Sequence, residues 1–118
     1  MTTPIEDTLR RFIVRQAECW NAGRKDDFLA LYREHAPQGL TLEYVGKSTM
    51  TGNAAWAGLE AMWAGYAHQV RIQPVEIIVN GHDAACYYRN LWTEPGTLST
   101  GIEVYTLRDN CIYARFFH

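Results

Sequence analysis

Val70-Arg71-Ile72-Gln73-Pro74-Val75-Glu76-Ile77-Ile78-Val79, then Asn80-Gly81-His82-Asp83, then Ala84-Ala85-Cys86-Tyr87-Tyr88-Arg89-Asn90-Leu91-Trp92-Thr93, is the stretch where the chain changes period. Two runs rich in β-branched and aromatic residues flank an Asn-Gly turn cluster, the local signature of a β-hairpin. The pattern continues downstream. Leu98 to Leu107 and Cys111 to Phe117 are two further strand-like runs, set off by Glu94-Pro95-Gly96-Thr97 and Arg108-Asp109-Asn110. Four consecutive strands separated by short turns read as a meander.

Upstream the period is helical. Thr3-Pro4-Ile5-Glu6 offers a cap residue, a proline at the first helical position and an acid three residues after the cap, which together satisfy the free amides of a helix start. Ile5, Leu9, Phe12, Ile13, Gln16 and Trp20 recur at three- and four-residue spacing up to Gly23, so the first helix is expected over 4 to 22. Phe28, Leu29, Leu31 and Tyr32, with Asp26 and Asp27 before them and Ala36-Pro37 after, predict a short second helix. Leu40 to Val45 alternates as a strand, Gly46 to Gly52 reads as a polar loop, and Asn53 to His68 predicts a third helix carrying Gly58 and Gly65. Helices first and strands afterwards define an α+β class rather than an alternating parallel fold. An antiparallel sheet with one apolar face must bend around three helices to cover it, and the bend opens a cone whose wide end is a concave apolar site.

At 118 residues, with no linker, repeat or low-complexity tract, the chain is expected to be one domain over residues 1–118. Aromatic residues reach 13%, more than a core of this size requires, so aromatic surface should line a site or meet a partner. Eleven basic against thirteen acidic residues, without a basic run, argue against nucleic acid as a partner. Cys19, Cys86 and Cys111 are odd in number and far apart, which fits reduced, cytoplasmic thiols better than a disulfide framework, and buried thiols are expected to be inert. His35, His68, His82 and His118 lack metal-ligand spacing, so no metal is expected. No secretory signal and no apolar run of ~18 residues is present, so no membrane association is expected either. Gly46-Lys47-Ser48-Thr49 imitates the end of a phosphate loop but has Thr41 where that motif needs glycine.

Trp20-Asn21-Ala22-Gly23, Phe28-Leu29-Ala30-Leu31-Tyr32, Gly52-Asn53-Ala54-Ala55-Trp56, Gly101-Ile102-Glu103-Val104-Tyr105 and Ile112-Tyr113-Ala114-Arg115-Phe116-Phe117 occur in an order that resembles the nuclear-transport-factor-2-like (NTF2-like) superfamily, in particular its SnoaL-like and ketosteroid-isomerase-like members. The resemblance spans nearly the whole chain. It implies a cone-shaped curved sheet wrapped around three N-terminal helices, the NTF2-like or cystatin-like architecture, and a cofactor-independent pocket, but the superfamily hosts many chemistries and noncatalytic modules. Set against the isomerases, Gln16 falls where a tyrosine donates to an oxyanion, Tyr44 falls where the general-base aspartate stands, with Glu43 beside it, and Glu103 matches the second, carboxylic donor. Limonene-epoxide-hydrolase-like members need an arginine and two acids, and Arg89 and Phe116 do not supply that set. SnoaL-type cyclases use an acid or histidine late in the chain, where only Arg115 and His118 lie.

Strand alternation puts Glu103 opposite in facing to Ile102 and Val104. A Thr93–Leu98 pairing would set Glu103 across from Tyr88, with Asn90 and Trp92 on the same face. A carboxyl in such surroundings has its charged form disfavoured by desolvation, which suits an acid, a donor or a tuned base. The alternative is a solvated glutamate on the outer face. Gln16 interrupts an apolar stripe, so it points inward either to orient a ligand or to make a core hydrogen bond. The candidate catalytic set is therefore Glu103, Gln16 and Tyr44. Candidate substrate-binding residues are Tyr32, Tyr88, Asn90, Trp92, Trp56, Leu59, Trp63, Arg115 and Phe117. For the last strand, a tight turn at Asp109-Asn110 sets Phe116 beside Glu103, whereas correspondence with the isomerases sends Arg115 and Phe117 inward. The expected activity is proton transfer on a small apolar molecule, as an isomerase, dehydratase or cyclase. The rival reading is a noncatalytic hydrophobic-ligand pocket or a dimerisation module, a homodimer meeting through an outer face that carries Tyr87, Leu91 and Phe116.

Overall fold

A computed structural model describes residues 2–118. The elements run α1 (Pro4–Asn21), α2 (Lys25–His35), β1 (Gly39–Tyr44), β2 (Ser48–Thr51), α3 (Asn53–Tyr66), β3 (Val70–Asn80), β4 (Asp83–Trp92), β5 (Leu98–Arg108) and β6 (Cys111–Phe117). The strands form one six-stranded sheet in the order β2-β1-β6-β5-β4-β3.

Two expectations need correction. Residues 46–52 are not simply a loop, because Ser48–Thr51 pairs antiparallel with β1 as an edge strand. The sheet is also not wholly antiparallel: β1 runs parallel to β6, Gly39 facing Cys111 and Tyr44 facing Phe116. The physical reason is the crossover. Chain leaving β1 makes a short hairpin and α3 before the meander begins, so its neighbour is the last strand, reached from the same end.

Helix α1 begins on the expected cap. The Thr3 hydroxyl accepts from the Glu6 N–H at 3.3 Å, and Glu6 Oε1 accepts from the Thr3 N–H at 2.8 Å. The helix ends in a Schellman arrangement at Gly23 (φ 70°), where the Arg24 N–H reaches the Cys19 carbonyl at 2.9 Å. Glu6 has a second duty. Its Oε2 accepts from the Gly81 N–H at 2.9 Å, tying the start of α1 to the β3–β4 turn. The Thr3 and Gly81 amides hold its carboxyl below the usual range. A depressed folded value means that this contribution is complete above the unfolded value of about 4.3 and is lost as pH falls through the folded one. Glu6→Gln is expected to flatten this part of the acid limb in urea unfolding measured from neutral pH downward; an unchanged acid limb would show that the carboxylate is not coupled to folding.

The sheet bends where β3 takes an extra residue between Pro74 and Glu76. Proline lacks the ladder N–H and sits on an edge strand, and a bulge increases local twist. Helix α1 lies across β3 and β4, α3 packs on β1 and β2, and α2 bridges the two helices. Leu9, Ile13, Phe28, Tyr32, Leu42, Leu59, Cys86, Tyr88 and Tyr105 are fully buried between the layers. Gly58 explains how closely α3 approaches: a Cβ there would lie 2.8 Å from the Met50 Sδ and Cε.

The last strand resolves the open alternative. Asp109 and Asn110 both take positive φ (55° and 59°) and pair Arg108 with Cys111, the two-residue turn that matches strand twist. Alternation then turns Ile112, Ala114 and Phe116 inward and sets Phe116 beside Glu103. The outer face exposes Ile78, Tyr87, Leu91, Leu98, Ile102 and Tyr113, whereas Phe116, expected there in the dimer reading, is buried. None of the described helices is long and apolar enough to cross a membrane.

Candidate active site

A cavity of about 390 Å³ opens between the helices and the concave face of the sheet, within the range used for small molecules. Its wall is largely aromatic and aliphatic, with Trp20, Phe28, Met62, Val70, Ile72 and Phe116 contributing. The polar residues lining it are Gln16, Tyr32, Tyr44, Lys47, Tyr66, Asn90, Trp92, Glu103 and His118.

The floor is a closed hydrogen-bond network around Gln16. The amide Nε2 donates to the hydroxyls of Tyr88 at 2.9 Å and Tyr105 at 2.6 Å, and its Oε1 accepts from the Tyr32 hydroxyl at 2.6 Å. Tyr105 in turn donates to Glu103 Oε1. Burial, with the negative charge of Glu103 second, pushes the hydroxyls of Tyr32, Tyr88 and Tyr105 well above the usual phenol range, so all three remain protonated. Both Gln16 amide hydrogens are therefore spent within the protein. Gln16 orients the floor and has no N–H left for a ligand oxygen, which corrects its expected place as a catalytic donor.

Glu103 enters the cavity from β5 with its side chain 17% exposed. Its Oε1 is held by Tyr105, and its Oε2 faces His118 Nε2 at 3.3 Å. The imidazole reaches that position because residue 101 is glycine: a Cβ there would sit 2.8 Å from His118 Cδ2 and 3.2 Å from Nε2. A glycine within a strand often marks such an approach. The side chains of Tyr44 and Asn90 make no hydrogen bond to other described residues, leaving a hydroxyl and an amide directed to the cavity. Tyr44 packs on Phe116 with ring centroids 5.2 Å apart. Partial burial and then Glu103 raise its hydroxyl above the phenol range, keeping it a donor.

The structure brings together Gln16, Tyr32, Tyr44, Asn90, Trp92 and Glu103 around the cavity. Glu103 faces Cys86 across β4–β5 rather than Tyr88, since the Trp92–Thr97 connection pairs Leu91 with Leu98 and slips the register by two. A two-residue slip preserves the face. Other expected positions fall elsewhere. Tyr88 lies behind the wall, reaching the site only through Gln16. Leu59 and Trp63 are core residues, Trp63 packing on Trp20 and Phe28 at 5.3 and 5.1 Å. Trp56 carries the Arg33 guanidinium over its ring at 4.3 Å, away from the cavity. In α3 the cavity is met instead by Met62 and Tyr66, one helical turn apart. Arg115 and Phe117 lie on the outer face, where Arg115 Nε donates to Glu43 Oε1 at 3.0 Å; the turn at Asp109-Asn110 fixes that facing.

Burial pushes the Cys86 thiol up to about 11, which keeps it protonated and unsuited to nucleophilic attack. Among the described residues no group of three or more His, Cys, Asp or Glu side chains is placed to hold a metal ion.

No protein-family model and no curated protein sequence matches the chain. Solved structures do. A protein assigned as a SnoaL-like polyketide cyclase from Jannaschia sp. CCS1 superimposes with a TM-score of 0.76 at 16% identity, covering 99% of this chain and 89% of that one. SalBIII, an epoxide hydrolase/cyclase-like enzyme in pyran ring formation in polyether salinomycin, matches with a TM-score of 0.70 at 21% identity over 92% of this chain and 88% of its own. The de novo designed NTF2 fold protein NT-9 matches with a TM-score of 0.71 at 17% identity, over 98% of this chain and 85% of the design. The chain thus has the NTF2-like fold, the architecture of the SnoaL-like proteins. Enzymes and a designed scaffold share it, so any activity must be argued from the site.

Proposed function

We propose that this chain is a cofactor-independent acid/base enzyme that moves a proton on a small, mostly apolar molecule, in an isomerisation, dehydration or cyclisation. The observation that carries the reading is Glu103: a carboxylate anchored by Tyr105 on one oxygen, facing His118 on the other, inside an apolar cavity. Glu103 takes the proton from carbon. His118 relays it, and Tyr44 and Asn90, whose side chains make no hydrogen bond to other described residues, hold the substrate oxygen on which charge develops. The SnoaL-like and cyclase-like neighbours in fold are compatible with that chemistry. The exposed apolar outer face is where we place a homodimer contact.

5-Nitrobenzisoxazole tests the reading without knowledge of the natural substrate. A base takes the C3 proton, the C–H electron pair becomes the third bond of a nitrile as the N–O bond breaks, and the ring opens to a single coloured cyanophenolate. The chain is expected to release phenolate with saturation kinetics, inhibited competitively by 8-anilinonaphthalene-1-sulfonate, an apolar dye that fills the cavity. Dye binding without turnover would support the noncatalytic ligand pocket instead.

A further inference from the structure

The charges around the cavity are unevenly matched. Glu103 has partners in Tyr105 and His118. Lys47 lines the same cavity and has no acidic partner among the described residues, whose ion pairs are Arg24–Asp27, Lys25–Glu60, Arg115–Glu43 and His118–Glu103. The lysine stands on the β1–β2 turn, fixed by the bond from its own N–H to the Tyr44 carbonyl at 2.8 Å, with Gly46 at positive φ (81°) turning the chain. In sheet order β1 is separated from β5 by β6, so Lys47 and Glu103 stand two strands apart. A cation at the exposed rim and a carboxylate inside give the hollow a fixed polarity.

We propose that the ligand of this site is an apolar ring or chain bearing a single acidic group, such as a carboxylate or sulfonate, which Lys47 holds at the rim. One ammonium balances one negative charge, and the interior carboxylate repels a second, which selects a monoanion over a phosphate ester. The same polarity orients the ligand. Its anionic end stays at the β1–β2 turn, and its apolar body, carrying the C–H to be attacked, enters toward Glu103. The inference deepens the acid/base reading by naming the substrate class, but it rests on binding rather than on turnover.

Two dyes with one ring system separate the contributions: 8-anilinonaphthalene-1-sulfonate carries a sulfonate, and N-phenyl-1-naphthylamine is neutral. In fluorescence titrations of the full chain at low salt, counting only dye displaced by 5-nitrobenzisoxazole, the sulfonate is expected to bind about fivefold more tightly, the scale of one partly exposed ion pair. The difference should shrink as salt is added. Lys47→Met should close it, Lys47→Arg should keep it, and Lys47→Glu should reverse it. Equal affinity of the two dyes, a gap that survives Lys47→Met, or failure of both dyes to enter would overturn the proposal. Loss of turnover with the gap intact would instead remove the acid/base chemistry and leave the monoanion preference standing.

Discussion

Glu103→Gln is expected to lower kcat for 5-nitrobenzisoxazole by about 10²–10⁴-fold, the usual contribution of a positioned general base. KM should stay within about twofold, because the change removes an interaction made only as the proton moves. The glutamine keeps an oxygen to accept from Tyr105 and nearly the same volume, so unfolding midpoints should barely move. Glu103→Asp retains the carboxylate but withdraws it by one methylene, and a rate between those of wild type and the glutamine variant is expected. A glutamine variant that turns over like wild type would show that another group takes the proton.

The second large effect is on stability. Gln16→Leu removes the shared partner of three buried tyrosines. Tyr105 retains Glu103, but Tyr32 loses its acceptor and Tyr88 loses its donor. Each buried polar group left unpaired costs about 1–3 kcal/mol, so the two give a total of about 2–6 kcal/mol expected in urea unfolding. That is a large part of the roughly 5–15 kcal/mol available to a domain. Adding Tyr32→Phe should recover part of the loss, because removing both members of a buried pair costs less than removing one. Strict additivity of the two substitutions would mean that the network is not shared.

Much of this architecture was legible in the residues because its determinants are local. The capping box at Thr3, the glycine after α1 and the turn clusters after β3 and β5 act over a few neighbouring positions. Ser48–Thr51 escaped because its side chains are mostly exposed and polar, and its pairing comes from backbone groups meeting β1. Helix α3 misled for a different reason. Apolar residues surround it, so periodicity names the helix without naming the side that meets the cavity, and points to Trp56, Leu59 and Trp63 where the structure has Met62 and Tyr66. Gln16 reads as an inward-pointing residue in an apolar stripe and is buried. Its partners lie 16, 72 and 89 residues away, and no spacing rule connects them. Arg115 and Phe117 turned on a single-residue question of facing, which only the conformation at Asp109-Asn110 settles.

The saturated base of the hollow also divides the positions open to adaptation. Around Gln16, altered specificity and lost foldedness arrive together, so descendants with new preferences are expected to carry the same amide and phenols unchanged. Tyr44, Lys47, Tyr66 and Asn90 make no side-chain hydrogen bonds or ion pairs within the described chain, and libraries restricted to them should yield new ligand selectivity from soluble variants.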